Sequence, residues 1–214
     1  MATPNLHITS SLAQKKAQLV ETIHFLHAKG WAPATSSNYS FREMEDLYIS
    51  ASGLDKGAFT GDDLIQTDRA GRVINDSRKT SAETGLHTMI YELVPEAECI
   101  LHTHSLYSTI LSRIHQPDGK LTLQGYEILK GLNGIRTHET VLDVPIFQND
   151  QDIDRLAHQI RTHWNDRSRM RVFLLASHGM YTWGNSIAEA KRHVEVFEYL
   201  FEATYRIALY EQTL

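Results

Sequence analysis

His102-Thr103-His104 is the segment of this chain best suited by residue type and spacing to do chemistry. It closes the apolar run Cys99–His104, which reads as a buried strand. Successive side chains of a strand point to opposite faces, so His102 and His104 share one face, about 6.5–7 Å apart at Cα. Two neutral imidazoles on a rigid strand at that spacing can converge on one metal ion. Taken alone, such a pair more often means two hydrogen-bonded polar residues at a sheet end. The chain has 12 histidines, so number selects none of them and position has to.

His178 supplies a third candidate ligand. Ser177-His178-Gly179 follows the apolar strand Val172–Ala176 and precedes the short strand Tyr181-Thr182-Trp183-Gly184. That puts His178 at a tight strand-end turn, where scaffolds present functional side chains, although a lone turn histidine is usually just solvated. Three histidines would leave the fourth zinc position open, as in a catalytic site.

Two carboxylates accompany them. Thr80-Ser81-Ala82-Glu83 stands at the start of a helix, and Thr80-x-x-Glu83 fits a capping box, which by itself is the better reading of Glu83 over a base or a metal ligand. Glu127 lies in Gly125-Tyr126-Glu127-Ile128-Leu129-Lys130-Gly131. Desolvated in a shaped loop it could transfer protons; by itself a solvated loop glutamate is the plainer reading. Two small-residue turns, Thr35-Ser36-Ser37-Asn38 and Ser50-Ala51-Ser52-Gly53, offer hydroxyls and successive N–H groups to an anion. The helix start at Ser81 could add its dipole.

These residues need elements to hold them. Ser11–Gly30 reads as a helix, with Ser11-x-x-Gln14 as its capping box and Gly30 as its stop. Short strands are expected at Tyr39–Arg42, Leu47–Ser50, Leu64–Thr67 and Arg72–Ile74, the last two joined by the turn Asp68-Arg69-Ala70-Gly71. Helical spacing follows over Ser81–Leu93, ended by Pro95, and again at Leu106–Ile114. Strands at Val141–Phe147 and Val172–Ala176 flank a helix near Asp152–Trp164, and Ser186 to about Glu211 reads as a long last helix. No repeat or linker divides the 214 residues, so one α/β domain over 1–214 is expected.

Composition narrows the partners. A formal net charge of −5 with mixed signs offers no basic stripe, so no nucleic-acid partner is expected. The longest apolar runs fall well short of the about 20 residues needed to span a bilayer, so no membrane partner is expected either. Cys99 is the only cysteine, which excludes an intrachain disulfide and a cysteine zinc cage. Met1–Ser11 lacks a basic flank and apolar run, and a cytoplasmic location is expected.

Taken together, Ala34-Thr35-Ser36-Ser37-Asn38, Ser50-Ala51-Ser52-Gly53, Thr80-Ser81-Ala82-Glu83, His102-Thr103-His104 and Ser177-His178-Gly179 resemble, in order, the class II aldolase and adducin-like family over about Trp31 to Gly184. The resemblance implies a three-layer α/β/α sandwich around a largely antiparallel sheet. It implies one zinc per subunit on His102, His104 and His178. It implies substrate phosphate held by the first three segments, through Thr35, Ser36, Asn38, Ser52, Gly53 and Ser81. Members are commonly homotetramers with active sites near subunit interfaces. One departure is Ser37, where the family often has glycine.

Within the family, Gly30-Trp31-Ala32-Pro33-Ala34-Thr35, Tyr126-Glu127-Ile128-Leu129-Lys130-Gly131 and Tyr181-Thr182-Trp183-Gly184 look like a branch that dehydrates a small phosphorylated keto-sugar. That narrower resemblance implies that Glu127 is the acid/base residue of a zinc-dependent lyase. Glu83 matches the catalytic glutamate of the aldolases, a position where some dehydratases lack a carboxylate. The alternatives are a sugar-phosphate aldolase or epimerase with the same metal chemistry, and a non-catalytic adducin-like interaction module. The module has no need of all three histidines.

Overall fold

The computed structural model describes residues 5–164 and 171–211. Its strands are β1 (Asn38–Glu43), β2 (Asp46–Ser50), β3 (Leu64–Thr67), β4 (Cys99–Thr103), β5 (Lys120–Leu123), β6 (Leu142–Phe147), β7 (Val172–Leu175) and β8 (Gly179–Gly184). Its α-helices are α1 (Asn5–Ala28), α2 (Thr84–Leu93), α3 (Leu106–Ile114), α4 (Ile153–Thr162) and α5 (Ile187–Glu211). The strands form one sheet in the order β3-β2-β1-β4-β8-β7-β6-β5. Every neighbouring pair is antiparallel except β6 with β7.

Strand alternation sorts the side chains into two cores. In β4, Cys99 and Leu101 face the layer built by α1, α3 and α5, while Ile100 faces the layer of α2 and α4. The first layer buries Leu19, Ile23 and Leu26 of α1 with Val194, Phe197 and Phe201 of α5, all fully covered. The second buries Leu86, Met89 and Ile90 of α2 with Leu156 and Ile160 of α4 against Phe173 and Tyr181. Each such apolar side chain contributes about 1.5–3 kcal/mol when fully buried. The result is the expected α/β/α sandwich, with His102 on the α2–α4 side of its central strand. No helix among the described residues is long and apolar enough to cross a membrane.

Three local expectations are corrected. α1 already includes Asn5–Ser10, so Ser11 lies inside it and Ser11-x-x-Gln14 does not cap its start. The C-terminal stop holds: Gly30 has φ +75°, and the Trp31 N–H reaches back to the Leu26 carbonyl at 3.0 Å. Arg72–Ile74 forms only a bridge, Thr67 with Val73, because the Asp68–Gly71 turn is closed but no further pairs extend it. Glu83 occupies the N-cap position of α2 without a side-chain cap bond. Its carboxylate is engaged elsewhere.

Candidate metal centre and its pocket

β4 and the β7–β8 turn meet at one end of the sheet. His102 is fully buried, and its Nδ1–H donates to the Met180 carbonyl at 2.9 Å, which leaves Nε2 as a lone-pair nitrogen. His104 follows β4, its backbone N–H held by the Trp31 carbonyl at 2.9 Å. His178 enters from the turn between β7 and β8, where Ser177 has φ +58°. The Ser177 N–H donates to Ser112 Oγ at 3.1 Å and the His178 carbonyl accepts from Thr109 Oγ1 at 3.0 Å, so α3 fixes the turn. Asn149 Oδ1 lies 3.2 Å from His178 Nδ1 and turns that ring's Nε2 inward.

The three Nε2 atoms converge. His102 to His104 is 2.7 Å, His104 to His178 3.1 Å and His102 to His178 3.3 Å. Glu83 completes the cluster, with Oε2 at 3.3 Å from His102 Nε2 and Oε1 at 3.4 Å from His178 Nε2. Neutral imidazoles cannot satisfy all three contacts of such a triangle, because His102 and His178 both present lone pairs there and His104 has at most one proton to give. A tetrahedral zinc site with 2.0–2.1 Å bonds has ligand-to-ligand edges of about 3.3 Å, so the donor set fits that ion.

His102 and His104 are kept neutral, as metal ligands must be. Burial holds His104 down to about 4, with His178 and the Lys56 ammonium adding to it. Burial also holds His102 well below the usual histidine range, helped by His104 and His178. His87, buried behind the cluster, is pushed down to about 3 by burial alone. In an unfolded chain these imidazoles take up protons near 6.5. Metal-free protein is therefore expected to keep a constant unfolding midpoint above about pH 6.5 and to lose stability as pH falls from there toward about 3. Urea titrations of chelated protein at pH 8, 6 and 5 check this; a flat midpoint would contradict neutral buried rings.

The cluster opens into a pocket of about 330 Å3. Its wall carries Thr35, Ser36, Asn38, Ser52, Gly53, Ser81 and Glu83 alongside His104 and His178. The three sequence-distant turns are laced by backbone bonds, Ser52 N–H to Lys79 carbonyl at 3.1 Å and Ser81 N–H to Ser50 carbonyl at 3.3 Å. Lys56, 1% exposed, donates to the Thr35 and Leu54 carbonyls at 3.3 and 2.8 Å and ties the first turn to the second. Ser37 sits at φ +70°, the left-handed conformation that glycine adopts freely. Ser36 Oγ is spent on the Pro33 carbonyl at 2.6 Å. Both ends of the Asn38 amide are engaged, Oδ1 by His87 and Nδ2 by Glu83.

Glu127 is elsewhere. It opens a 3-10 turn, Glu127–Gly131, is 69% exposed, and pairs with Lys130, with His138 at 3.6 Å. The Lys130 bond holds its carboxyl below the usual range. It is not desolvated in the single chain, and it lines no wall of the metal pocket.

Four contributors were not legible beforehand. Tyr181 stacks on His102 at 4.0 Å and donates to Glu83 Oε2 at 2.8 Å, a consequence of the β4–β8 register that pairs these two residues. Lys56 and His87 act from inside the protein. Asn149 is the one with a usable signal, since it follows the apolar strand β6 much as His178 follows β7.

Gly179 is required by the same register. A Cβ there would stand 2.1 Å from the Thr103 carbonyl oxygen and 3.2 Å from His102 Cε1. Gly179→Ala is expected to push β8 off the ligand strand, costing about 1–3 kcal/mol in overpacking and weakening the candidate site's hold on a metal ion. Thermal melts with metal analysis would show it, and parental values in both would contradict the contact.

The sequence profile of the Class II Aldolase and Adducin N-terminal domain matches residues 17–205. The chain belongs to that family. Among its relatives, methylthioribulose-1-phosphate dehydratase of Cronobacter sakazakii is 48% identical over 195 residues, 91% of this chain and 95% of the relative. The enzyme of that name from Citrobacter koseri is 45% identical over 98% of this chain and 99% of its own length. In fold, the family resemblance extends to L-fuculose-1-phosphate aldolase from Thermus thermophilus, with TM-score 0.76, 21% identity, and coverage of 94% of this chain and 98% of the aldolase.

Proposed function

We propose that this chain is a zinc-dependent dehydratase that removes water from 5-methylthioribulose 1-phosphate to give 2,3-diketo-5-methylthiopentyl 1-phosphate. The observation that carries the reading is the convergence of His102, His104 and His178 through Nε2 at the floor of a pocket rimmed by hydroxyl and N–H groups. The names of relatives at 45–48% identity over nearly the whole chain support the substrate.

A zinc ion held by the three histidines would supply Lewis-acid polarisation of the C2 carbonyl, making the C3 proton more acidic. The chain's own residues do the rest. Thr35, Ser52, Gly53 and Ser81, with Asn38 beside them in the pocket wall, hold the phosphate, and Ser36 contributes its backbone. A carboxylate takes the C3 proton, the C4 hydroxyl accepts a proton and departs as water, and the resulting enol ketonises by protonation at C4. Glu127 serves as the acid for the departing hydroxyl. Exposed in its own chain, it acts on the pocket of a neighbouring copy in a homotetramer, the assembly expected for this family. Glu83, facing the position between His102 and His178, would be a further group able to hold the metal when no substrate is bound.

Glu83 in the cluster is also what an aldolase of this fold would need, so product identity is the test. Purified protein with methylthioribulose 1-phosphate should yield the diketone. Two carbon fragments would favour aldol cleavage, and no turnover with zinc bound would favour another substrate. The dephosphorylated sugar should be turned over far more slowly, since remote phosphate binding energy positions the reacting carbons. Ser52→Ala and Ser81→Ala should mainly raise KM. Equal turnover of both sugars would remove the phosphate cradle from the reading.

A further inference from the structure

A file of buried polar side chains runs from the interior to Glu83. Tyr91 Oη lies 2.9 Å from Ser40 Oγ, Ser40 Oγ 2.7 Å from His87 Nδ1, His87 Nε2 2.5 Å from Asn38 Oδ1, and Asn38 Nδ2 2.7 Å from Glu83 Oε2. Ser40 and His87 are fully buried, and Asn38 and Tyr91 nearly so. Chemistry allows one direction of donation along it. The carboxylate accepts only, so the Asn38 amide presents NH2 to Glu83 and its oxygen to His87. That oxygen accepts only, so His87 carries its proton on Nε2. The neutral ring then accepts at Nδ1, and the Ser40 hydroxyl must donate to it, taking its own bond from Tyr91. Every donor points toward Glu83.

The alternative amide orientation would set Asn38 Oδ1 against the carboxylate, two acceptors 2.7 Å apart. That contact selects the amide orientation and with it the Nε2–H tautomer of His87, whose bond to Oδ1 then holds the amide in place. The ring is itself pinned, with the Tyr181 ring edge-on at 5.8 Å.

We propose that His87 is a positioning residue for the metal centre: by fixing the Asn38 amide it holds Glu83 turned into the three-imidazole cluster. The proposal rests on reading that cluster as a metal site. His87 touches neither metal ligand nor substrate. It acts through Asn38, whose amide and the Tyr181 hydroxyl give Glu83 Oε2 two donors and leave Oε1 toward His178. Outer groups that orient metal-site residues typically change affinity or activity by 10–100-fold when lost, and one step further out the lower end applies.

The test uses two substitutions that each keep one ring nitrogen's role. His87→Gln places an amide where Nε2 stood and keeps the donor to Asn38; His87→Asn reaches only the Nδ1 position and loses it. Zinc affinity is read by competition with a chromophoric chelator, independently of turnover, and kcat and KM are measured beside it. His87→Asn is expected to lose about 10-fold in zinc affinity and about 10-fold in kcat, with KM within about two-fold. His87→Gln should stay within about three-fold of the parent in all three. In an Asn38→Ala background the His87→Asn change should add almost nothing, because its route is already cut. Unfolding curves establish that each variant is folded. Should His87→Asn fail to fold, Ser40→Ala, which frees the ring to exchange its proton between nitrogens, is expected to lower zinc affinity about three-fold. Parental zinc affinity in His87→Asn, or in Ser40→Ala where His87→Asn does not fold, equal losses in the Gln and Asn variants, or full additivity with Asn38→Ala would each overturn the proposal. A parent protein that takes up no zinc would instead overturn the metal reading, and the proposal with it.

Discussion

Replacing His102 and His104 together by alanine is expected to strip the chain of zinc and abolish turnover, leaving a folded protein. Four-ligand zinc sites bind with roughly 10–16 kcal/mol, so an equal share is about 2.5–4 kcal/mol per ligand, or about 10²–10³-fold in affinity for each histidine removed. Loss of both leaves His178 and Glu83, too little to hold an ion through desalting. The fold should survive because neither imidazole bonds to more than one protein group outside the cluster. His102 gives up one hydrogen bond, to the Met180 carbonyl, and His104 is anchored through its backbone. The parent should carry about one zinc per chain by elemental analysis. Stoichiometric zinc in the double variant would remove the pair from the site.

Glu127→Gln is expected to lower kcat by about 10²–10⁴-fold with zinc content unchanged. The substitution keeps shape and a hydrogen bond to Lys130 but cannot shuttle a proton. As an exposed, solvent-screened pair, Glu127 and Lys130 contribute little to stability, so a rate loss of that size cannot be ascribed to unfolding. Glu83→Gln should behave differently. Its carboxylate faces His102 and His178 and receives Asn38 and Tyr181, so the amide should lower zinc affinity and cost less in kcat than Glu127→Gln. Near-parental turnover in Glu127→Gln with full zinc would favour the aldolase reading. A mixing experiment tests the proposed reach between copies. Glu127→Gln chains unfolded and refolded with His102→Ala/His104→Ala chains should recover activity, up to about a quarter of the parent's if a site draws one residue set from each of two randomly mixed copies. No recovery from well-mixed oligomers would place Glu127's action within its own chain.

What the sequence by itself determined was local. Alternation over Cys99–His104 put His102 and His104 at compatible positions, because a strand's period of two holds wherever the strand is placed. Gly30 ends α1 since left-handed backbone is free to glycine, and the spacing of Ile187, Ala190, Val194, Phe197 and Phe201 describes the buried stripe of α5 wherever that helix docks. The serine-rich turns were legible as turns for the same reason.

Only the tertiary structure decided which of these pieces meet. His178 lies 76 residues beyond His102, and it joins the cluster because β4 pairs with β8 in a register that no local pattern encodes. Thr80-Ser81-Ala82-Glu83 is the sharpest case, since one tetrapeptide is compatible with a helix cap and with a metal-site carboxylate. A cap bond contributes only about 0.5–2 kcal/mol. Here the folded chain offers Glu83 two neutral donors and a position beside three imidazoles, and that environment outweighs one backbone N–H. Glu127 runs the other way: its flanking glycines marked a shaped loop that could desolvate it or leave it solvated, and among the described residues it stands exposed, because burial is a property of what packs against a segment and not of the segment itself.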